Sequence, residues 1–253
     1  MASAPENAAD SCRWELGLTG CFSITDIQTG RDVTPQSRKA CALLAYLAAR
    51  QGQNVPRDRL AALLWQDSDE AHARASLRQA LCDVRSATGC DASPIIADRH
   101  HARLDDEAVR ISGLCVSDYD EGESEPLEDL GGISENFDDW LAQERVRLTE
   151  AMVEGAAAHV RQRLEFGHGP QLMPLIRKLQ RIDPLNEDFL QYAMVAEYQC
   201  GHAAAIRKRY REFASRIREE LGVSPTFETT KLESELIGAL TRAVPPPAKP
   251  WAA

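Results

Sequence analysis

Apolar residues recur at helical spacing through two long regions of the chain and alternate over short stretches around them. The sharpest pattern runs from Asp69 to Gly89, where Leu77, Leu81 and Val84 share one stripe with Ala73, Ala80 and Ala87. Two more helices are predicted upstream. The first opens at Thr34-Pro35, with Thr34 as N-cap and Pro35 in the first helical position. It carries Ala40, Leu43, Leu44 and Leu47 on one face and ends at Gly52. The second spans Pro56 to Trp65 with Leu60, Leu63 and Leu64 inward. Trp14 to Thr25 reads as two short strands or a hairpin, and Val33-Thr34 as a third short strand. After Gly89 the period changes to two. Ile95 to Asp105 reads as a hairpin with a basic tip, and Glu107 to Cys115 supplies a further strand.

From Phe137 onward the pattern is helical throughout, in five segments each closed by Gly or Pro. The last is predicted to start at Ser224-Pro225, again a cap followed by proline. Segments of this length read as stacked antiparallel pairs in a short α-solenoid. The fold class expected is mainly α with small antiparallel β elements. The predicted divisions are a leader over 1–12, a first domain over 13–115, an acidic linker over 116–136, a helical domain over 137–241 and a Pro-rich tail over 242–253. The order strands, three helices, hairpin in the first domain is that of a winged helix-turn-helix.

Charge sharpens this division. The chain has 253 residues and a net charge of −10, and ten acids with no base lie between residues 113 and 140. Residues 13–112 hold 13 bases and 13 acids, so the first domain is neutral and the acidic excess says little about its surface. The polar N-terminus has no basic n-region or apolar h-region, and no apolar run nears the ~20 residues that span a bilayer. The seven cysteines (12, 21, 41, 82, 90, 115 and 200) are irregularly spaced with no CxxC. They fit reduced thiols in a cytoplasm better than a disulfide framework or a metal site.

Beside the apolar stripe of the Asp69–Gly89 helix, Arg74, Arg78 and Arg85 lie within ~40° of one another. Next to them come Ala75, Gln79, Cys82 and Ser86, which are small or polar. Small residues let a helix axis approach deeply into a groove, arginine pairs bidentately with guanine, and glutamine does so with adenine. Three arginines are also common on any solvated helix face. At the hairpin tip, Arg99, His100, His101 and Arg103 are placed to lie over a phosphate strand or the minor groove, or to form an ordinary solvated turn. Arg38 and Lys39 on the first helix are candidate DNA-backbone contacts. The leading reading is therefore a protein that reads double-stranded DNA. The alternative is a helical adaptor whose winged domain reads none, which the neutral charge of residues 13–112 favours. Acidic clusters such as Asp138-Asp139 and Asp105-Asp106-Glu107 have no accompanying nucleophile or ligand set, so no enzyme, catalytic residue, metal or cofactor is expected.

The stretch Ala71 to Gly89, with Ala73-Arg74, Leu77-Arg78-Gln79-Ala80-Leu81 and Val84-Arg85, closely resembles the recognition helix of the Streptomyces antibiotic regulatory protein family. Leu63-Leu64-Trp65 before an acidic turn, and Phe137, Trp140, Glu144-Arg145 and Leu148, match that family too. Asp183-Pro184-Leu185-Asn186-Glu187 and Glu219 to Pro225 look like its bacterial transcriptional activator domain. The resemblance implies a response-regulator-type winged helix joined to a tetratricopeptide-like helical domain. It also implies an activator whose protomers bind direct-repeat promoter sites side by side and recruit RNA polymerase. Its groove-facing positions would be Arg74, Ala75, Arg78, Gln79, Cys82 and Arg85. Two departures stand out: a His-His wing tip replaces the family's Gly-aromatic run, and the helical repeats are degenerate. No GxxxxGK follows, so the ATPase module of larger members is absent from these residues.

Overall fold

The computed structural model describes residues 12–89, 93–112 and 125–243. Residues 1–11 of the expected leader, Cys90, Cys115, residues 116–124 of the acidic linker and residues 244–253 of the Pro-rich tail lie outside these residues. The chain divides into two compact units, Met1–Met152 and Val153–Ala253.

In the first unit, β1 (Trp14–Gly17), β2 (Ser23–Asp26) and β3 (Arg31–Asp32) form an antiparallel meander. β3 falls two residues before the predicted Val33-Thr34 strand. α1 (Arg38–Ala49) follows, and Ala40 to Ala48 are all buried, so the helix is apolar around its whole girth. Its N-cap is Ser37, which accepts from the Ala40 N–H, and not Thr34 as the sequence suggests. The Thr34 hydroxyl instead accepts from the Ile24 N–H and donates to Asp32, tying the meander to the helix. β4 (Val55–Pro56), α2 (Arg57–Leu64) and α3 (Glu70–Thr88) come next, then β5 (Ile95–Ala97), β6 (His101–Leu104) and β7 (Val109–Ser112). The wing is a three-stranded antiparallel sheet in the order β4-β6-β5. β7 returns to the N-terminal sheet and pairs with β1 in parallel, the one departure from an antiparallel expectation among the described strands. Leu16, Ile24, Leu43, Leu47, Leu60, Leu64, Leu77 and Val84 meet in one core.

The same core takes in residues assigned by sequence to the linker and to the helical domain. Leu127, which precedes a short 3-10 turn over Glu128–Leu130, and Leu130, which ends it, are buried, as are Phe137, Leu141 and Leu148 of α4 (Glu135–Glu165). The Trp140 ring meets Tyr46 edge-on at 4.9 Å, and Arg145 donates to the carbonyl oxygens of Pro126 (2.9 Å) and Leu127 (3.0 Å). The described end of the acidic segment is therefore packed structure, and the unit boundary falls inside α4 rather than at residue 137.

The second unit holds the rest of α4 with α5 (Gly169–Ile182), α6 (Glu187–Gln199), α7 (Ala203–Leu221) and α8 (Phe227–Ala243). A Cβ on Gly169 would sit 2.7 Å from the Ala196 backbone, so only glycine lets α5 start this close to α6. Leu190, Met194, Ile206, Phe213, Ile217 and Ile237 form its core. The buried Glu197 carboxylate accepts from Arg209 (2.8 Å) and meets His202 Nδ1 at 3.0 Å. α8 begins after Thr226, not at Pro225. Glu187 accepts from the Thr226 N–H (3.0 Å) and from the hydroxyls of Thr226 and Thr229, fastening the start of α8 to that of α6.

Candidate nucleic-acid interface

α3 owes its orientation to its two faces. Ala73, Leu77, Ala80, Leu81 and Val84 are buried, and Leu77 is only 1% exposed. Asp69 caps the helix by accepting from the His72 N–H at 2.9 Å, and the following Glu70 is a favourable charge in the first turn. Thr88 is buried as well, donating to the Val84 carbonyl oxygen (2.9 Å), while Ala87 is only half-buried. With the apolar stripe docked, Arg74, Ala75, Arg78, Gln79, Cys82 and Arg85 are all exposed together on the opposite side.

Their engagements differ. Arg78 and Arg85 make no hydrogen bond or ion pair with any other described residue. Arg74 is held between Asp58 (3.1 Å) and Glu70 (2.6 Å), and Gln79 donates to Asp83 at 2.9 Å. All of these pairs stand at the surface, where such contacts contribute little and exchange readily.

The wing stands beside this helix. Its tip is an Asx turn, in which Asp98 Oδ1 accepts from the N–H groups of His100 (2.6 Å) and His101 (2.7 Å). The His101 N–H, then that of His100, holds the Asp98 carboxyl below the usual carboxylate range. The turn is joined to α2 by Arg57, whose N–H donates to the His100 carbonyl oxygen (2.8 Å) and whose guanidinium donates to that of Asp98 (3.0 Å). Between α3 and the tip lies a concavity of about 510 Å³, lined by Arg57, Asp58, Arg74, Leu77, Arg78, Arg99 and His100. Four guanidinium groups and an imidazole face a single carboxylate there. Arg57 is the residue that sequence reasoning missed. The visible signal is a basic residue directly after Val55-Pro56, the short strand β4 that pairs with the hairpin.

Not every predicted contact reaches this site. His101 is half-buried 3.9 Å from Asp98, and Arg103 is turned aside to Asp106 (3.2 Å). Arg38 and Lys39 are engaged within the protein. Arg38 donates to the carbonyl oxygens of Asp129 (2.8 Å) and Gly131, anchoring the end of the acidic segment. Lys39 donates to the Leu64 carbonyl oxygen at 2.7 Å with its ammonium over the Trp65 ring, and burial pulls its pKa down. Among the described residues no group of three or more His, Cys, Asp or Glu is placed to hold a metal ion, and no helix is long and apolar enough to cross a membrane.

A winged helix-turn-helix unit with its third helix turned outward, followed by a unit of paired helices, is the build of a transcriptional regulator. Residues 123–237 match the bacterial transcriptional activator domain. The chain is 26% identical over 243 residues to the transcriptional regulatory protein MoaR1 of Mycobacterium tuberculosis, covering 83% of this chain and 72% of that protein. It is 24% identical over 229 residues to the regulatory protein AfsR of Streptomyces griseus, covering 81% of this chain but 22% of the relative. Mycobacterium tuberculosis EmbR, solved in complex with a low-affinity phosphopeptide, shares the fold with a TM-score of 0.68 at 19% identity, over 92% of this chain and 66% of that one. The chain is a transcriptional regulator, and it is similar to regulators of the Streptomyces antibiotic regulatory protein type.

Proposed function

We propose that the first unit reads promoter DNA through the exposed face of α3, and that the chain is an activator binding direct repeats as side-by-side protomers and recruiting RNA polymerase. One observation carries this: Arg78 and Arg85 project from α3 with no partner among the described residues, on a face shared with Arg74, Ala75, Gln79 and Cys82. Arg78 is the base-reading residue, with Gln79 beside it able to leave Asp83 for an adenine edge. Arg57, Arg99 and His100 hold a phosphate in the concavity, which fixes the register of α3 without adding sequence information. Cys82 is a small group that lets the helix approach. His101 and Arg103 serve the wing's own structure. The MoaR1 and AfsR names and the bacterial transcriptional activator domain support the regulatory half of this reading.

Gel-shift titration of the wild type and Arg78→Ala against the region upstream of the protein's own gene tests it. The substitution is expected to cost about 1–3 kcal/mol of specific affinity. Equal affinity of the wild type for that region and for random duplex would remove the base-reading role.

A further inference from the structure

Helix α7 has two seams. One, through Ile206, Phe213 and Ile217, is buried in the core of the second unit. The other runs through Ala204, Arg207, Arg211, Ala214, Arg218 and Leu221, at alternating steps of three and four residues. That is the spacing by which one helix lies along another. All of these residues are exposed except Ala214, which is half-buried. The three guanidinium groups have no acidic partner among the described residues, and their one hydrogen bond runs from Arg211 to the Arg207 carbonyl oxygen (3.3 Å). Two acids on the flank are already engaged, Glu212 with Lys208 (3.8 Å) and Glu219 with Ser215 (2.7 Å). At the end of the seam the surface becomes apolar. Leu221 is 57% exposed, Val223 49% and Phe227 76%.

We propose that this outer seam of α7 docks an acidic amphipathic helix of a partner protein. Carboxylates at three- and four-residue spacing on that helix meet Arg207, Arg211 and Arg218. Its larger side chains fit over Ala204 and Ala214, and an apolar residue at its end covers Leu221. A nucleic-acid backbone satisfies the guanidinium groups equally well but offers nothing to Leu221, Val223 and Phe227, which decides for protein. Every residue involved belongs to the second unit, so this inference stands apart from the DNA reading of α3.

The test is fluorescence anisotropy of the full chain with a labelled synthetic helix of roughly 18 residues, long enough to follow the seam. The probe carries Glu at positions matching the three arginines and Leu at the end, and the control is a scramble of the same composition. The wild type is expected to bind the patterned probe about ten-fold or more tightly than the scramble, with affinity falling as salt rises. Combined Arg207→Gln, Arg211→Gln and Arg218→Gln removes that preference, whereas Lys208→Gln on the paired flank keeps it. The charge-reversed set Arg207→Glu, Arg211→Glu and Arg218→Glu gains affinity for a Lys version of the probe, which an unfolded variant cannot do. Equal binding of probe and scramble overturns the proposal. So does a triple Gln variant that still prefers the probe, or one whose main defect is weaker binding of random duplex DNA. Promoter binding by the triple Gln variant, and probe binding by Arg78→Ala, both stay at wild-type level. Failure of this inference and failure of the DNA reading are thereby distinguishable.

Discussion

Among the arginines of α3, what separates Arg78 from Arg74 is not exposure but occupancy. Both face solvent, yet Arg74 is pinned between the carboxylates of Asp58 and Glu70 while Arg78 is uncommitted. The Asp58 carboxylate, in the lining of a site for a polyanion, opposes binding twice, by repelling phosphates and by holding the cation that would meet them. Asp58→Asn is therefore expected to tighten DNA binding about two- to five-fold, the range that surface ion pairs support. The gain should fall on random duplex as well as specific sites, and anisotropy titrations against both would read it. An unchanged affinity would mean that Arg74 exchanges partners without penalty. Apart from Ala87 and Thr88, the face taken by the α3 side chains was legible in the sequence, because a helical period sorts residues into faces without reference to the rest of the chain. Occupancy was not legible. Asp58 lies 16 residues before Arg74, and nothing local announces their meeting.

At the scale of elements, the wing and α2 act as one piece because Arg57 grips the hairpin tip from the first residue of the helix. Arg57→Ala is expected to lower affinity by about 1 kcal/mol through the lost hydrogen bond and a looser tip, with the preferred DNA sequence unchanged. A shift in preferred sequence would make Arg57 a base reader instead. In the second unit, α8 is held by Glu187. Burial disfavours its charge, but the donated hydroxyls of Thr226 and Thr229 and the Thr226 N–H outweigh that and keep the carboxyl below its ordinary range. A carboxyl depressed on folding stabilises fully above its unfolded pKa, and that contribution is lost as pH falls through the folded one. Glu187→Gln should cost about 1–2 kcal/mol at neutral pH in thermal unfolding. The gap from wild type should close as the medium is acidified through that range, and a constant gap would assign the effect to packing. Elements with strong local signals, such as α3 and the β5–β6 hairpin, follow the sequence pattern closely. Those that depend on distant partners do not. Arg38 looks like a free cation until its acceptors appear 91 and 93 residues away, and β7 finds β1 across 95 residues.

For the molecule as a whole, the main surprise is where its units divide. The acidic segment reads as a solvated connector because charge dominates its composition. Leu127 and Leu130, spaced to face one way within it, instead complete the core of the first unit together with Phe137 and Leu141. The winged domain thus extends through the first half of α4, and substitutions at Leu127 or Leu130 should weaken it as core truncations do. Leu130→Ala is expected to lose about 2–5 kcal/mol in denaturant unfolding, against little loss if the segment were a mere tether. The net charge of −10 is no obstacle to DNA binding when the arginines of one concavity outnumber its carboxylates. The most direct measurement is selection of duplexes from a random pool by the wild type and by Arg78→Ala, in parallel. A base-reading α3 predicts that the wild type recovers a repeated motif with a fixed guanine that Arg78→Ala no longer enriches. Recovery of no motif by the wild type, or of the same motif by both proteins, would contradict it.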